Sequence, residues 1–312
     1  MKKRKMILNS VSAAILALGS AVAMGAVTVT GTDGACTSRS GTGHKAAIVF
    51  FGEDIRNVIS TNNEYQEQGG VPIAGAATNV TFDVWSGNDG AAGTCIGNVN
   101  IQIDAGTNEG AQIALEDYLN TPDRGSGVMV RTGSLDSRGK IDIYVDLISG
   151  KHDDTRQVIW NNFVGMPNAS RLMSSMRFGS GEHLAFMYTG PAGTEAHPEV
   201  QIFDNDGSFV GVNSDIVVGP NSTFISNNVR GLGYKDIYGN PIDDDDLPAD
   251  GDAYLKVLGL DDDETEASCM VVYTKAKTND TRTKAWGNKH LKSATLTYAR
   301  RNGGNDPLMI GQ

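Results

Sequence analysis

Aromatic residues and catalytic motifs are scarce in this chain of 312 residues, and both shortages narrow its function. Only 7% of the residues are aromatic, which argues against the aromatic-lined cleft of a glycosidase. Neither a G-x-S-x-G elbow nor an HExxH motif occurs, so the sequence indicates neither a serine hydrolase of that type nor a zinc protease. We predict that the chain is not an enzyme, and a secreted hydrolase ranks third among the hypotheses for its function.

Basic residues are also fewer than acidic ones. The chain has 26 Lys and Arg residues against 37 Asp and Glu residues, which gives a formal net charge of -11. An acidic chain repels nucleic-acid phosphates and anionic lipid headgroups. We therefore expect neither nucleic acid nor a membrane surface as a partner.

Apolar runs long enough to approach a membrane span are missing, except at the N-terminus. Basic residues at positions 2–5 precede an apolar stretch that extends to Ala23, and this pattern predicts a secretory signal peptide of residues 1–25. Ala23, Gly25 and Ala26 remain alternative last residues of the signal. A transmembrane anchor is the other interpretation, but the run is barely long enough. Loss of the signal removes four positive charges and takes the formal net charge from -11 to -15. We expect a bacterial chain that is exported to the periplasm, the cell surface or the medium, with no membrane insertion after processing.

Only three cysteines are present: Cys36, Cys95 and Cys269. Because exported proteins meet an oxidising environment, one pair can close a disulfide and leave an odd thiol. We predict the pair Cys36 and Cys95, which would fasten the N-terminal segment to the first domain. No cysteine and histidine cluster has the spacing of a zinc or c-type haem site, so we expect neither cofactor.

Two parts of the chain resemble each other, which indicates an internal duplication. The stretch "GTGHKAAIVFFG" (residues 41–52) aligns without gaps with "GSGEHLAFMYTG" (residues 179–190) and shares four identities with it. Further on, the stretch that begins at Thr81 matches the one that begins at Glu199, with Asn-Asp-Gly in both. The two copies would cover residues 41–150 and 179–280.

The copies show the alternation of strands. In residues 140–147 the apolar residues Ile141, Ile143, Val145 and Leu147 alternate with polar ones, as in an antiparallel strand with one face in water. Helical periodicity is confined to residues 111–119, which are either a helix or a single turn that bridges two sheets. We predict an all-β fold of two tandem antiparallel β-sandwich domains. This architecture resembles the immunoglobulin-like and fibronectin-like modules of exported bacterial proteins, although the Cys-Trp-Cys arrangement of immunoglobulin domains is missing.

Three segments lie outside the two copies. Residues 26–40 form an N-terminal strand or extension, and residues 281–312 form a final strand and a tail. Residues 151–178 are more apolar than a flexible linker. We expect this connector to pack, to supply a strand, and to contact both domains through Trp160 and Phe163.

Two acidic stretches are the metal-site hypotheses. Residues 242–252 and 261–266 offer many hard oxygen ligands of the kind that calcium takes. No EF-hand spacing is present, so a solvated acidic loop is the alternative. A calcium ion would bind within the first stretch, at Asp243, Asp244, Asp245, Asp246, Asp250 and Asp252. In contrast, "DNDG" at residues 204–207 indicates a hairpin turn, because the Asn-Asp-Gly is shared by both copies and Asp204 is not.

These features favour a non-catalytic exported protein with a structural or adhesive role at the bacterial cell surface or in an extracellular assembly. Its partners would be other protein subunits or cell-surface components, and self-assembly by β-strand addition is one route. The alternative is a module that binds carbohydrate or another ligand, with Trp85, Trp160 and Trp286 as the residues that would stack on it.

Overall fold

The computed structural model describes most of the chain after residue 26 as β-strands joined by turns. The described residues are 27–37, 45–52, 55–63, 66–68, 71–73, 78–87, 90–104, 110–132, 139–148, 156–161, 164–165, 172–180, 182–226, 228–261, 263, 269–275, 296–298 and 308–310. Among them no α-helix occurs, and the strands are arranged in antiparallel sheets. The prediction of an all-β fold is therefore confirmed. The predicted signal peptide lies outside the described residues.

The strands and three short 3-10 helices follow one another along the chain. The strands of the N-terminal part are β1 (Val27–Asp33), β2 (Lys45–Gly52), β3 (Ile55–Asn63), β4 (Gln66–Gln68), β5 (Val71–Ile73), β6 (Thr78–Ser86), β7 (Thr94–Ile103), β8 (Gly110–Ala114), β9 (Arg124–Arg131), β10 (Gly139–Ile148), β11 (Arg156–Asn161) and β12 (Val164–Gly165). Those that follow are β13 (Leu172–Arg177), β14 (His183–Tyr188), β15 (Glu199–Asp204), β16 (Phe209–Asn213), β17 (Ser222–Ser226), β18 (Tyr234–Lys235), β19 (Pro241–Ile242), β20 (Ala253–Leu258), β21 (Met270–Lys275), β22 (Leu296–Tyr298) and β23 (Leu308–Ile310). The 3-10 helices are η1 (Leu115–Asp117), η2 (Val229–Leu232) and η3 (Asp244–Asp246).

The first half of the fold, residues 27–165, is built on two sheets that face each other, and β4 and β5 form a separate two-stranded sheet. Sheet 1 has the strand order β1-β7-β6-β9-β2-β12, and sheet 2 has the order β11-β10-β3-β8. A shared hydrophobic core lies between them and includes Val49, Phe82, Ile101 and Met129 of sheet 1 and Ile59 and Ile113 of sheet 2. This half is therefore a β-sandwich.

The second half, residues 172–275, is built in the same way. Sheet 3 has the order β13-β20-β15-β16-β18-β19, and sheet 4 has the order β17-β14-β21. The core between these sheets includes Val200, Ile202, Leu255 and Val257 of sheet 3 and Leu184, Phe186 and Val272 of sheet 4.

A third apolar cluster joins the two halves. It consists of the buried residues Ala46, Ile48, Val128 and Val130 of sheet 1 and Ala185 and Met187 of sheet 4. In β2 and β14 these residues alternate with residues of the halves' own cores, so each strand is buried on both faces. This explains the unbroken apolar runs "AAIVFF" and "LAFMY", because a strand covered on both faces has no solvent side. Sheets 1 and 4 are thus the inner layers of a four-layer stack.

Backbone contacts at glycine residues complete this interface. The β6–β7 connection of the first half lies against the chain that leads into β17: Gly93 N donates to Pro220 O at 2.8 Å, and Gly219 N donates to Gly90 O at 2.7 Å. A Cβ atom at Gly93 would lie 2.1 Å from Asn221 O, which is far inside van der Waals contact. Only glycine permits this close approach of two backbones.

Seven of the described strands in each half have the same order. The order β7-β6-β9-β2 in sheet 1 corresponds to β16-β15-β20-β13 in sheet 3, and β10-β3-β8 in sheet 2 corresponds to β21-β14-β17 in sheet 4. The sequence match between the β6–β7 and β15–β16 hairpins joins equivalent strands. The match of residues 41–52 with 179–190 does not, because β2 corresponds to β13 and not to β14.

Three local features of the structure bear on the expectations from the sequence. Residues 111–119 are not a helix: they contain the end of β8 and a single 3-10 turn, η1, with Leu115 and Leu119 buried. The connector supplies β11 and β12 to the first half and β13 to the second, whereas Phe163 lies outside the described residues. The expected final strand within residues 281–312 corresponds to β22, which pairs with β23 in the expected tail.

Gly93→Ala tests whether the backbone contact holds the halves together. The added methyl group must displace Asn221 or Gly93, and we expect a loss of about 1–3 kcal/mol in the free energy of unfolding measured in urea. Gly179→Ala is the matched control, because its Cβ would meet Asp250 at an ordinary 3.4 Å. Equal losses for both variants would contradict a role for Gly93 in the interface.

Candidate functional site

The acidic loop of residues 243–252 is the main metal-site hypothesis from the sequence. In the structure an arginine side chain contacts this loop. Arg230 of η2 reaches into this loop, where its Nε donates to Asp244 Oδ1 at 2.7 Å. Its Nη atoms donate to the backbone carbonyls of Asp244 and Pro248, and Nη1 lies 3.9 Å from Asp250 Oδ1. The guanidinium also lies over the ring of Phe178, 5.6 Å from its centroid. Arg230 therefore supplies the positive charge that the calcium hypothesis assigned to an ion.

The carboxylates of this loop do not converge on one point. The side chain of Asp250 accepts hydrogen bonds from the backbone N–H and the hydroxyl of Ser180, while Asp244 binds Arg230. Among the described residues, no group of three or more Asp, Glu, His or Cys side chains is placed to hold a metal ion. An exposed loop and a 3-10 turn contain the predicted calcium ligands Asp243, Asp244, Asp245, Asp246, Asp250 and Asp252. The calcium site itself stays a prediction, with a solvated loop as its alternative. The second acidic stretch lies largely outside the described residues.

The Asn-Asp-Gly of residues 205–207 forms the predicted hairpin turn. Gly207 has φ 88°, Gly207 N donates to Asp204 O at 2.9 Å, and Asp204 N donates to Ser208 O at 2.9 Å. Asp206 accepts from Ser208 N at 2.8 Å, and this bond holds the pKa of Asp206 below its usual value. The Asp206 side chain therefore stabilises the turn.

The half-buried carboxylate of Glu116 stabilises the fold. Burial raises the pKa of Glu116, and hydrogen bonds from Asn57 act in the opposite direction. Asn57 in turn pairs with the backbone of β2: Phe50 N donates to Asn57 Oδ1 at 3.1 Å, and Asn57 Nδ2 donates to Phe50 O at 2.6 Å. The amide of Asn57 thus takes the place of a neighbouring strand beside Phe50.

The aromatic residues of sheet 3 pack on one another. On sheet 3, Phe203 stacks on Tyr254 with a centroid distance of 5.6 Å, and Lys256 Nζ lies 4.3 Å from the centroid of Phe203. These neighbours occupy the faces of the Phe203 ring, so it offers no open platform for a sugar. Of the three predicted stacking residues, Trp85 is half-buried in β6, whereas the side chains of Trp160 and Trp286 lie outside the description.

Among the side chains that the structure describes, the turn between β18 and β19 presents the most exposed large apolar ones. Ile237 is 69% and Tyr238 is 82% exposed. Asp236 fixes the turn, because its Oδ1 accepts from Tyr238 N and from Asn240 N, both at 2.8 Å. The side chain and the backbone of Asn240 lower the pKa of Asp236. Sequence reasoning missed this surface, although Asp-x-x-Gly-Asn is itself a turn signal.

The N-terminal strand β1 is fastened to the edge of sheet 1. A disulfide joins Cys36 and Cys95, the pair that the sequence analysis preferred, with their Cα atoms 6.0 Å apart. Thr37 donates to the buried Asp83 through both its N–H, at 2.7 Å, and its hydroxyl, at 2.9 Å. The remaining cysteine, Cys269, is buried in the second half. Residues 27–37 are therefore held by covalent and polar links as well as by strand pairing.

Arg230→Gln tests the role of this arginine. We expect it to lower the free energy of unfolding by roughly 1–3 kcal/mol, because Arg230 is largely buried and its loss leaves the carbonyls of the loop without their donor. Lys235→Gln is the control: Lys235 binds Asp215 at 2.7 Å on the open surface, and we expect a loss below about 1 kcal/mol.

The same urea titrations can be repeated with calcium and with magnesium at equal concentration. Equal stability of the wild-type protein in both salts is the result expected for a solvated loop. A stabilisation by calcium alone would show that the acidic loop binds the ion despite Arg230.

Comparison with known proteins assigns no family, because no protein-family model matches the chain and neither a curated protein nor a solved structure matches it. No helix among the described residues is long and apolar enough to cross a membrane. The function is therefore inferred from the surfaces of the fold itself.

Proposed function

We propose that this chain is a non-catalytic exported protein with a structural or adhesive role at the bacterial cell surface or in an extracellular assembly. The observation that carries the proposal is the apolar and hydrogen-bonded interface between the two halves. A chain whose halves are joined by buried side chains and by backbone contacts transmits force as one body, in contrast to domains on a flexible linker.

Buried polar contacts within the interface support this rigidity. Ser126 Oγ of sheet 1 and Thr223 Oγ1 of sheet 4 are hydrogen-bonded at 2.9 Å, and both residues are buried. Thr223 also donates to Gly87 O through its N–H, at 3.1 Å, and its hydroxyl, at 2.8 Å. These bonds fix one register between the halves, because sliding would leave buried polar groups without partners.

We further propose that the halves are immunoglobulin-like and arose by tandem duplication. In each half the second strand pairs with the fifth and the third pairs with the sixth, if the seven shared strands are counted in chain order. The same pairings form the centre of the two immunoglobulin sheets. The first, fourth and last strands differ from that arrangement, because each lies in the opposite sheet. The repeated strand order supports the duplication more strongly than the sequence match of residues 41–52 does.

Cell fractionation tests the proposed location. We expect the chain in the cell envelope or the medium, shortened by about 25 residues according to the signal-peptide pattern. A variant with Glu at positions 2–5 is expected to accumulate unprocessed inside the cell. Unprocessed wild-type protein confined to the cytosol would overturn the proposal.

Binding of a carbohydrate or another ligand is the second candidate, and Tyr238 favours it. Tyr238 extends from a turn that Asp236 holds in one conformation, so stacking on a ligand would cost little ordering of the backbone. The polar groups of Asp236 and Asn240 lie in the same turn, but they bind each other through Asn240 Nδ2 and Asp236 Oδ2 at 3.0 Å.

A glycan array with the wild-type protein and Tyr238→Ala tests this candidate. If the turn binds sugars, we expect signals that fall at least tenfold in the variant, since loss of a central aromatic contact costs upwards of about 1.4 kcal/mol. Tyr118→Ala, which removes another exposed tyrosine, is the control. An array without signals for the wild-type protein would remove the candidate.

A further inference from the structure

The outermost strand of sheet 1, β1, has an open edge. It pairs with β7 over seven residues without a register shift, from Val27 opposite Ile103 to Asp33 opposite Gly97. Within the part of the chain that the structure describes, no strand pairs with its other side, and six of its seven residues are exposed. The backbone N–H and C=O groups on that side can bond a further strand.

The other outer strands of the six-stranded sheets are protected, and β1 is not. The outer strands β12 and β19 have two residues each, and β19 begins with Pro241. Strand β13 has a register irregularity between Leu172 and Ser174 and ends at Arg177. Short length, proline, irregular pairing and basic side chains are the usual defences of a sheet edge. The sequence of β1, "VTVTGTD", has no proline and no basic residue.

Contacts with other parts of the first half also keep β1 in its extended conformation. Asn120 N donates to Asp33 Oδ1 at 3.0 Å, and the backbone of Tyr118 packs so closely on Gly31 that a Cβ atom there would lie 2.2 Å from Tyr118 O. The disulfide at Cys36 follows directly. An added strand would therefore meet an edge that is already extended, and little conformational entropy would be lost on its side of the pair.

We propose that β1 pairs with β1 of a second copy of this chain, antiparallel and about a two-fold axis at Thr30. This inference rests on the proposed function and names one contact of the assembly. The register places Thr28 opposite Thr32 of the second copy and Val27 opposite its Asp33. Thr28, Thr30 and Thr32 share one face of β1, and threonine pairs across strands are favourable. Two six-stranded sheets would become one continuous sheet.

The charge distribution permits this pairing of two acidic chains. Asp33 is the only charged residue of β1, and the antiparallel register keeps the two Asp33 side chains six residues apart. That separation is about 20 Å, well beyond the screening length of about 8 Å at physiological salt. Each Asp33 instead lies near the start of the other processed chain, where the signal-peptide interpretation places an α-amino group.

One strand pair gives a modest interface. Stable complexes bury about 1,200–2,000 Å², and seven paired residues give less. We therefore expect a dimer whose population rises with protein concentration. A crowded cell surface supplies such a concentration.

Light scattering on a dilution series of the exported, processed chain tests the proposal. For the wild-type protein we expect the mass to rise from one chain towards two. Thr28→Lys with Thr32→Lys places lysines opposite each other at both ends of the pair, so this variant should remain a monomer. Thr28→Lys with Thr32→Glu places opposite charges there and should dimerise again. Asn205→Lys with Ser214→Lys makes the same change in net charge as the double-lysine variant, at exposed sites of the second half, and should behave as the wild type.

A wild-type protein that stays monomeric throughout the series would overturn the proposal, as would a double-lysine variant that still dimerises. Failure of the Lys/Glu variant to recover the dimer would refute the register. Melting curves of all variants show whether each is folded. An exported protein that is monomeric would leave the proposed function standing and remove only this contact, whereas retention in the cytosol would remove the proposed function whatever the mass.

Discussion

Burial of the central strands of sheets 1 and 4 on both faces is the constraint on which the rest of the structure depends. Strands β2, β9 and β14 contribute alternate residues to the core of their own half and to the cluster between the halves. Each large apolar side chain buried in this way adds roughly 1.5–3 kcal/mol of hydrophobic stabilisation relative to an exposed one. These three strands have no side left for solvent where the halves meet, so separation of the halves would expose a contiguous apolar surface on each.

Close packing of the two halves determines which residues the loops around the interface can contain. Two backbones meet where Gly90 and Gly93 face the chain at Gly219, and hydrogen bonds replace water there. The glycines of the two Asn-Asp-Gly motifs have different surroundings for the same reason: Gly207 lies at an exposed hairpin tip, whereas Gly90 lies against Val217. Both glycines have a positive φ, 85° at Gly90 and 88° at Gly207, and only Gly90 also contacts the other half.

The sequence predicted those features that depend on local pattern. Alternation, turn residues and cysteine position indicated the strands, the turn at residues 205–207 and the pair Cys36 and Cys95. Features that depend on distant partners were missed. The contact of the carboxylate-rich loop with Arg230 is one of them, because Arg230 lies 14 residues before Asp244. The apolar run in residues 111–119 left a helix and a single turn as alternatives, because the spacing of Leu115 and Leu119 suits both, and the structure has the single turn. Likewise, β2 matched β14 because both are buried on two faces, which is a shared environment and not a shared position.

The edges of the sheets link this fold to assembly. Where β2 lacks a neighbouring strand beside Phe50, the side chain of Asn57 satisfies its backbone, and Glu116 holds that amide in place. This arrangement desolvates the half-buried carboxylate of Glu116, which raises its pKa, and it gives hydrogen-bond partners to the backbone of Phe50. No comparable side chain protects β1 among the described residues, although the disulfide, Asn120 and Asp83 hold its flanking segment firmly. A strand that is held in place yet left open at its edge differs from a frayed terminus, since fastening keeps its hydrogen-bonding groups aligned. That combination distinguishes β1 from the other outer strands of the six-stranded sheets and makes it the point at which a second chain can extend the fold.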